Sequence, residues 1–238
     1  TGMNRLGFTN KDFDVLVNLL NSTRLVQIMS IFSHLATSDQ PEEQAFTMHQ
    51  IHTFNEWSTV LKASLKSNPI LHILNTSGIF NYSEHQLDMV RIGIGLYGVG
   101  NHEEENIKLQ NVATLKTIIL QINEVNAGES VGYGRRYVAK ETKQIATIPI
   151  GYADGIRRSY GNEVGYVLVN GKKAPIVGSV CMDMLMVDVS KCNASVGNEV
   201  IVFGNDLRIT EVAKLWNTIP YEVMTSISQR VKRIFYKE

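Results

Sequence analysis

Two stretches in the first half of this sequence place hydroxyl, cationic or imidazole groups beside glycines. Asn75-Thr76-Ser77-Gly78 follows a short apolar run and opens a helix, so its free N–H groups and a hydroxyl could receive a phosphate. Met89-Val90-Arg91-Ile92-Gly93-Ile94-Gly95 ends on two glycines that let backbone come close to the same ligand. His34, Thr76, Arg91 and Gly93 fall at or just past the C-terminal ends of expected strands, the face where parallel α/β folds build their sites. No P-loop or dinucleotide fingerprint is present, so a bound phosphate would belong to something smaller than ATP or NAD. Taken singly, packing glycines and a helix-capping hydroxyl are the better explanation of these features.

The second half offers Gly132-Tyr133-Gly134 followed by Arg135-Arg136, and Gly151-Tyr152-Ala153-Asp154-Gly155. A tyrosine between glycines sits on unusual backbone, and neighbouring cations could lower its pKa; a plain turn is the simpler reading of spacing alone. Cys181-Met182-Asp183-Met184 sets a thiol, a backbone N–H and a carboxylate in one tight turn. One cysteine without a second Cys or His at ligand spacing is a poor zinc signature, and His49 with His52 has no third ligand nearby, so no metal site is expected.

These groups depend on elements of two different periods. Up to about residue 105, helices alternate with short apolar runs. Thr9-Asn10-Lys11-Asp12 resembles a capping box ahead of Phe13, Leu16, Leu19 and Leu20 at helical spacing. Strand-like runs follow at 25–32, 70–74 and 89–95, and Pro41 opens a helix whose apolar face is Met48, Ile51, Phe54, Trp57, Leu61 and Leu65. Such alternation implies parallel pairing. About four parallel strands are too few, since a closed (β/α)8 barrel takes ~250 residues, and the open sheet requires completion. Thr1 is not an initiator, and Gly2, Arg5, Leu6 and Gly7 read as the end of a strand, so a longer parent protein is expected. From 106 onward, strands are expected at 115–125, 145–150, 166–169, 175–177, 185–189 and 200–203. Asn170-Gly171 marks a hairpin, and short helices lie near Thr210 and Tyr221.

The composition narrows the class. The 238 residues carry 23 Lys+Arg against 23 Asp+Glu, which removes the phosphate attraction of a general nucleic-acid binder. At 44% hydrophobic the chain can bury a core, while no run of 18 apolar residues would span a membrane. Cys181 and Cys192 are too few for a disulfide scaffold, so a cytoplasmic setting is the default, and no secretory leader is visible.

The ordered set of Thr1–Gly7, Ser33-His34-Leu35-Ala36-Thr37, Met89–Gly98, Gly132-Tyr133-Gly134, Gly151–Gly155, Val180-Cys181-Met182-Asp183 and Tyr221-Glu222 resembles alanine racemases along essentially the whole chain. The resemblance implies the C-terminal half of a (β/α)8 barrel over 1–105, then the family's mainly β domain over 106–238. It implies pyridoxal 5′-phosphate as cofactor, with Tyr133 as one catalytic base and a Schiff-base lysine as the other. His34, Thr76, Arg91, Gly93, Ile94 and Tyr221 would hold the cofactor, and Arg5 and Met182 the substrate carboxylate. Tyr152 and Asp183 would line a narrow entrance. The expected function is interconversion of L- and D-alanine for peptidoglycan synthesis by a homodimer with shared sites. The variant seen at 75–79 and 180–184 further resembles racemases fused behind a Mur ligase.

Four departures stand beside these matches. No Lys-Ala-Asn-Ala-Tyr-Gly-type segment occurs in the sequence, so the cofactor lysine is missing and the chain alone is expected to be inactive. Thr76 stands where Ser is usual and keeps the hydroxyl; Asn4 replaces a frequent Gly and Lys232 a frequent Pro. The alternatives are a non-catalytic scaffold of the same family and a pyridoxal-phosphate amino-acid decarboxylase. The latter is disfavoured because those enzymes place a carboxylate where Arg91 stands.

Overall fold

The structure, a computed structural model, describes residues 1–236. The chain divides between Gln110 and Asn111 into two compact units. The break falls after residue 105 because the short helix at 103–107 belongs to the first unit: Gly100 N–H donates to Asn106 Oδ1 at 2.9 Å and Asn81 Nδ2 to Glu105 Oε1 at 3.4 Å.

In the first unit, Asp12 accepts from both the N–H and the hydroxyl of Thr9 at 2.7 Å, which starts helix α1 (Phe13–Ser22) through a 3-10 turn. The apolar stripe is partly covered: Phe13, Leu16 and Leu20 are half-buried, Leu19 is exposed and no α1 residue is fully buried. Strand β1 (Ser30–Phe32), helix α2 (Gln44–Ser64), strand β2 (Ile70–His72), helix α3 (Thr76–Asn81) and helix α4 (Glu103–Ile107) follow. Strands β1 and β2 pair in parallel with Ile31 opposite Leu71. Ile51 and Phe54 of α2 pack with Leu35, Ile73, Leu74 and Tyr82 into one core, as their helical spacing requires. The buried Gln50 is satisfied, accepting from Ala36 N–H and donating to His34 O.

Two expected strands are corrected. The run 25–32 contributes only its last three residues to β1, and Leu25 is 95% exposed. The run 89–95 forms no strand: it makes one backbone bond along the sheet, from Arg91 N–H to Leu74 O, before Gly93 turns it into a 3-10 helix at Ile94–Tyr97.

The second unit is antiparallel. Strands β3 (Leu115–Ile118), β4 (Gln121–Val125), β7 (Lys143–Ile148), β8 (Tyr166–Val169), β9 (Lys172–Val177), β10 (Leu185–Asp188) and β11 (Glu199–Phe203) form one sheet in the order β3-β11-β8-β9-β10-β7-β4. Strands β5 (Ser130–Val131) and β6 (Tyr137–Val138) form a separate hairpin. The single run expected at 115–125 is two strands at opposite ends of the strand order, joined only by Ile119 and Leu120. Ile119 N–H donates to Asn198 O beside β11, while Leu120 N–H donates to Thr147 O of β7, so the sheet curls and its two edge strands meet at this corner. Asn170 and Gly171 both take positive φ, 49° and 72°, at the β8–β9 turn, which is the backbone this dipeptide favours. Helices α5 (Ile209–Leu215) and α6 (Pro220–Ser226) complete the unit.

Tyr160 anchors this core. Its ring stands edge-on to Trp216 at 5.6 Å, and its hydroxyl donates to Tyr166 O at 2.7 Å. Burial pushes its pKa up, so the phenol stays protonated. Tyr160→Phe leaves that carbonyl without its donor and is expected to cost about 1–2 kcal/mol. A urea midpoint unchanged from the parent protein would show the bond to be neutral.

Candidate functional site

In the first unit the chemistry gathers on Arg91. Its Nη2 donates to Ser33 O at 2.7 Å and Ile73 O at 3.1 Å, and its Nη1 donates to His72 O at 3.3 Å. Two imidazoles meet the same guanidinium: His72 Nδ1 lies 2.5 Å from Nη1 and His34 Nδ1 3.3 Å from Nη2. Arginine has only donors, so each Nδ1 accepts and the ring proton sits on Nε2. The guanidinium also lies over Phe32, 5.2 Å from its centroid, and Phe32 stacks on His72 at 5.2 Å and 1°. Among the described residues no carboxylate pairs with Arg91. Burial first, and the Arg91 charge second, hold both histidines below their ordinary pKa, with Arg5 adding to the effect on His34. The result is a fixed cation flanked by neutral imidazoles.

Beside it, Asn75 caps α3 by accepting from Gly78 N–H at 3.0 Å, which uses one of the helix's free donors. Thr76 is buried, and its Oγ1 accepts from Gly93 N–H at 2.9 Å. Its hydroxyl proton therefore points elsewhere. A Cβ on Gly95 would stand 2.9 Å from Thr76 Cγ2, so close approach is what selects glycine there. Ile94, first in its 3-10 turn, has no intrahelical acceptor for its N–H. The Thr76 hydroxyl and the Ile94 N–H are thus the donors left at this spot, while the Gly93 N–H is spent on orienting Thr76 Oγ1. Arg5 and His34 line a cavity of 570 Å³ in the same unit, with Trp57 and Leu61 on its apolar side. His49 and His52 are exposed on α2, and no group of three possible metal ligands occurs among the described residues.

In the second unit Tyr133 sits at the tip of the β5–β6 hairpin, 74% exposed. Gly132 and Gly134 hold φ of 75° and 69°, which puts the phenol outside the hairpin. The expected cation turns away: Arg135 Nε donates to Ser130 Oγ at 3.1 Å. Tyr152 and Met182 are brought together by backbone, since Tyr152 N–H donates to Cys181 O and Ala153 N–H to Met182 O, both at 2.9 Å. Asp183 is bound at 2.5 Å by Arg230 Nη2. Tyr221 lies in the first turn of α6 and is half exposed.

Each unit therefore assembles its own share of the expected residues: Arg5, His34, Thr76, Arg91, Gly93 and Ile94 in one, and Tyr133, Tyr152, Met182, Asp183 and Tyr221 in the other. Sequence reasoning missed Phe32, His72, Asp154 and Arg230. His72 ends a strand in Ile70-Leu71-His72, and His34 lies two places past the end of β1, so that parallel offered a signal. Nothing local marked Arg230.

A parallel βα segment with donors and a cation past its strand ends, together with a seven-stranded antiparallel sheet, defines a two-domain protein of the barrel-plus-β class. The comparisons place it within that class. Residues 1–101 match the alanine racemase N-terminal domain and 112–235 the alanine racemase C-terminal domain. Similar proteins include "Alanine racemase 2" of Caldanaerobacter subterraneus subsp. tengcongensis (40% identical, 99% of this chain, 62% of that protein) and "Alanine racemase" of Halothermothrix orenii (38%, 98%, 63%). Among solved structures, alanine racemase from Bacillus anthracis with bound L-Ala-P superposes with a TM-score of 0.91 at 33% identity, covering 99% of this chain and 62% of that one. Alanine racemase from Bartonella henselae with covalently bound pyridoxal phosphate gives 0.86 at 34%, covering 99% and 64%. The chain belongs to the alanine racemase family, and its fold is that of part of a (β/α)8 barrel followed by the family's β domain. It spans less than two thirds of the length of these relatives. Among the described residues no helix is long and apolar enough to cross a membrane.

The imidazoles carry a pH signature. Each has a folded-state pKa below the ordinary 6.5, so the unfolded chain takes up the proton first as pH falls. Their contribution to stability is complete above pH 6.5 and is lost as the pH drops through the folded values. An NMR titration should place the His72 midpoint below 6.5; a midpoint at or above it would contradict a neutral ring on Arg91.

Proposed function

We propose that the protein carrying this chain is an alanine racemase, a pyridoxal-phosphate enzyme interconverting L- and D-alanine for peptidoglycan synthesis. The observation that carries the reading is Arg91, a cation held by carbonyls and two neutral imidazoles with no carboxylate partner. That donor set fits an unprotonated pyridine nitrogen. It speaks against the decarboxylase alternative, which would place an anion there. The Thr76 hydroxyl and the Ile94 N–H fit a phosphate, Gly93 would serve by turning that hydroxyl outward through its own N–H, and Gly95 leaves Thr76 its space.

In this reading the cofactor supplies an electron sink for charge developing at the substrate Cα. Arg91, permanently protonated, would hold the ring nitrogen as a hydrogen-bond acceptor and so keep it unprotonated, which would restrain delocalisation and side reactions. Tyr133 exchanges the proton on one face of Cα. The hairpin suits this task, because the phenol stands clear of its own domain. Arg5 and the Met182 N–H hold the carboxylate, Tyr152 and Asp183 narrow the entrance, and Tyr221 and His34 complete the cofactor's surroundings. The opposite face requires a lysine in a segment that this sequence does not contain. The homodimer with shared sites, a Mur-type ligase in the same polypeptide and a cytoplasmic location, where Cys181 and Cys192 stay reduced, belong to the same proposal.

Alanine turnover by the whole protein in both directions tests the activity, and intact mass of the native protein tests the ligase. Tyr133→Phe is expected to lower turnover by about 100-fold or more, with proton exchange lost from one enantiomer and pyridoxal-phosphate absorbance retained. Equal loss of exchange from both enantiomers would count against a two-base assignment. The 238-residue chain alone, given pyridoxal phosphate, should turn over no L-alanine.

A further inference from the structure

Two turns of the second unit carry residues that the racemase reading uses: 151–155 with Tyr152, and 181–184 with Met182 and Asp183. Both meet one arginine that nothing in that reading employs. Arg230 Nε donates to Asp154 Oδ1 at 2.7 Å, and its Nη2 donates to Asp183 Oδ1 at 2.5 Å. Asp154 is only 8% exposed, and its other oxygen accepts from Gly151 N–H at 2.8 Å. Its backbone carbonyl accepts from Ser228 N–H at 3.0 Å. The buried carboxylate is thereby committed on every side, and removing its cation would leave a charge uncompensated.

The arginine is itself presented by a built segment. Arg233 folds the stretch after α6 by donating to Ile227 O, Ser228 O and Val231 O at 2.8–2.9 Å. Gly155 abuts this stretch so closely that a Cβ would stand 2.3 Å from Ser226 O. The 151–155 turn is thus pinned from one side by the 226–233 segment and from the other by the Cys181 and Met182 carbonyls. Arg230 is the side chain that spans both carboxylates.

We propose that Arg230 is a positioning residue for the substrate entrance: by bridging Asp154 and Asp183 it fixes the Tyr152 turn against the Met182 turn and neutralises Asp183 where an amino-acid carboxylate must pass. The functional half of this inference rests on the racemase reading; the mechanical half does not. With Arg230 gone, Asp183 becomes an unpaired anion facing an anionic group, so the loss falls on substrate capture rather than on proton transfer.

The test uses the whole protein with Arg230→Gln and Arg230→Lys, and two readouts. Amide hydrogen exchange at Tyr152 and Ala153 is expected to quicken about tenfold in Arg230→Gln, the equivalent of one charge-assisted bond, with β7–β10 unchanged. The KM for alanine is expected to rise by about the same factor with kcat nearly constant, the rise shrinking at high salt and in Arg230→Lys. Unchanged exchange at the two amides, or acceleration spread through the whole sheet, overturns the clamp. Local acceleration with an unchanged KM, or a loss confined to kcat, overturns the entrance role. A parent protein without alanine turnover would instead defeat the racemase reading, and the exchange data would still decide the clamp.

Discussion

A guanidinium that has no carboxylate is the constraint around which the first unit is organised. Arg91 donates its hydrogen bonds to the carbonyls of Ser33, His72 and Ile73, which follow or end the two parallel strands, and to two imidazoles kept neutral by burial and by the cation itself. A carboxylate partner would satisfy the charge more strongly but would also cancel it. Carbonyl dipoles and neutral rings hold the group in place while leaving its positive field available to a ligand. The short parallel pair of β1 and β2 matters here chiefly because it delivers those carbonyls and His72 to one spot.

The second unit follows a different logic. The run through Ile119 and Leu120 leaves one edge strand and enters the other, so the sheet curls until its two ends meet at that corner. The curled sheet is the support from which a small hairpin, two turns and a short helix project. Each projecting piece owes its shape to local features: positive φ at Gly132 and Gly134 around Tyr133, backbone bonds between the 152 and 182 turns, and the doubly held Asp154 beneath them. A rigid support with specialised turns is a common way to present functional side chains.

Much of this was legible beforehand. Helical spacing in 48–61 and 13–20 marked the helices, and Asn170-Gly171 marked its hairpin because only such residues take left-handed backbone cheaply. The ordered glycine and tyrosine motifs pointed to the family. The errors have a shared cause. Apolar β-branched runs such as 25–32 and 89–95 carry strand propensity, but strands exist only where a neighbour supplies hydrogen bonds. The uniform run at 115–125 gave no sign that its halves serve opposite ends of a sheet.

Short-range preferences, then, were written in the sequence itself: where helices begin, which dipeptide turns, which glycines accept unusual angles, and which residue types accompany one another in a fixed order. Tertiary structure alone decided the pairings between distant residues. His72 becomes a partner of Arg91 only when a strand end and a later loop converge, and Arg230 reaches Asp154 and Asp183 across 76 and 47 residues of chain. Such contacts have no local signature, since they depend on how the sheet curls and on which groups burial leaves in need of a partner.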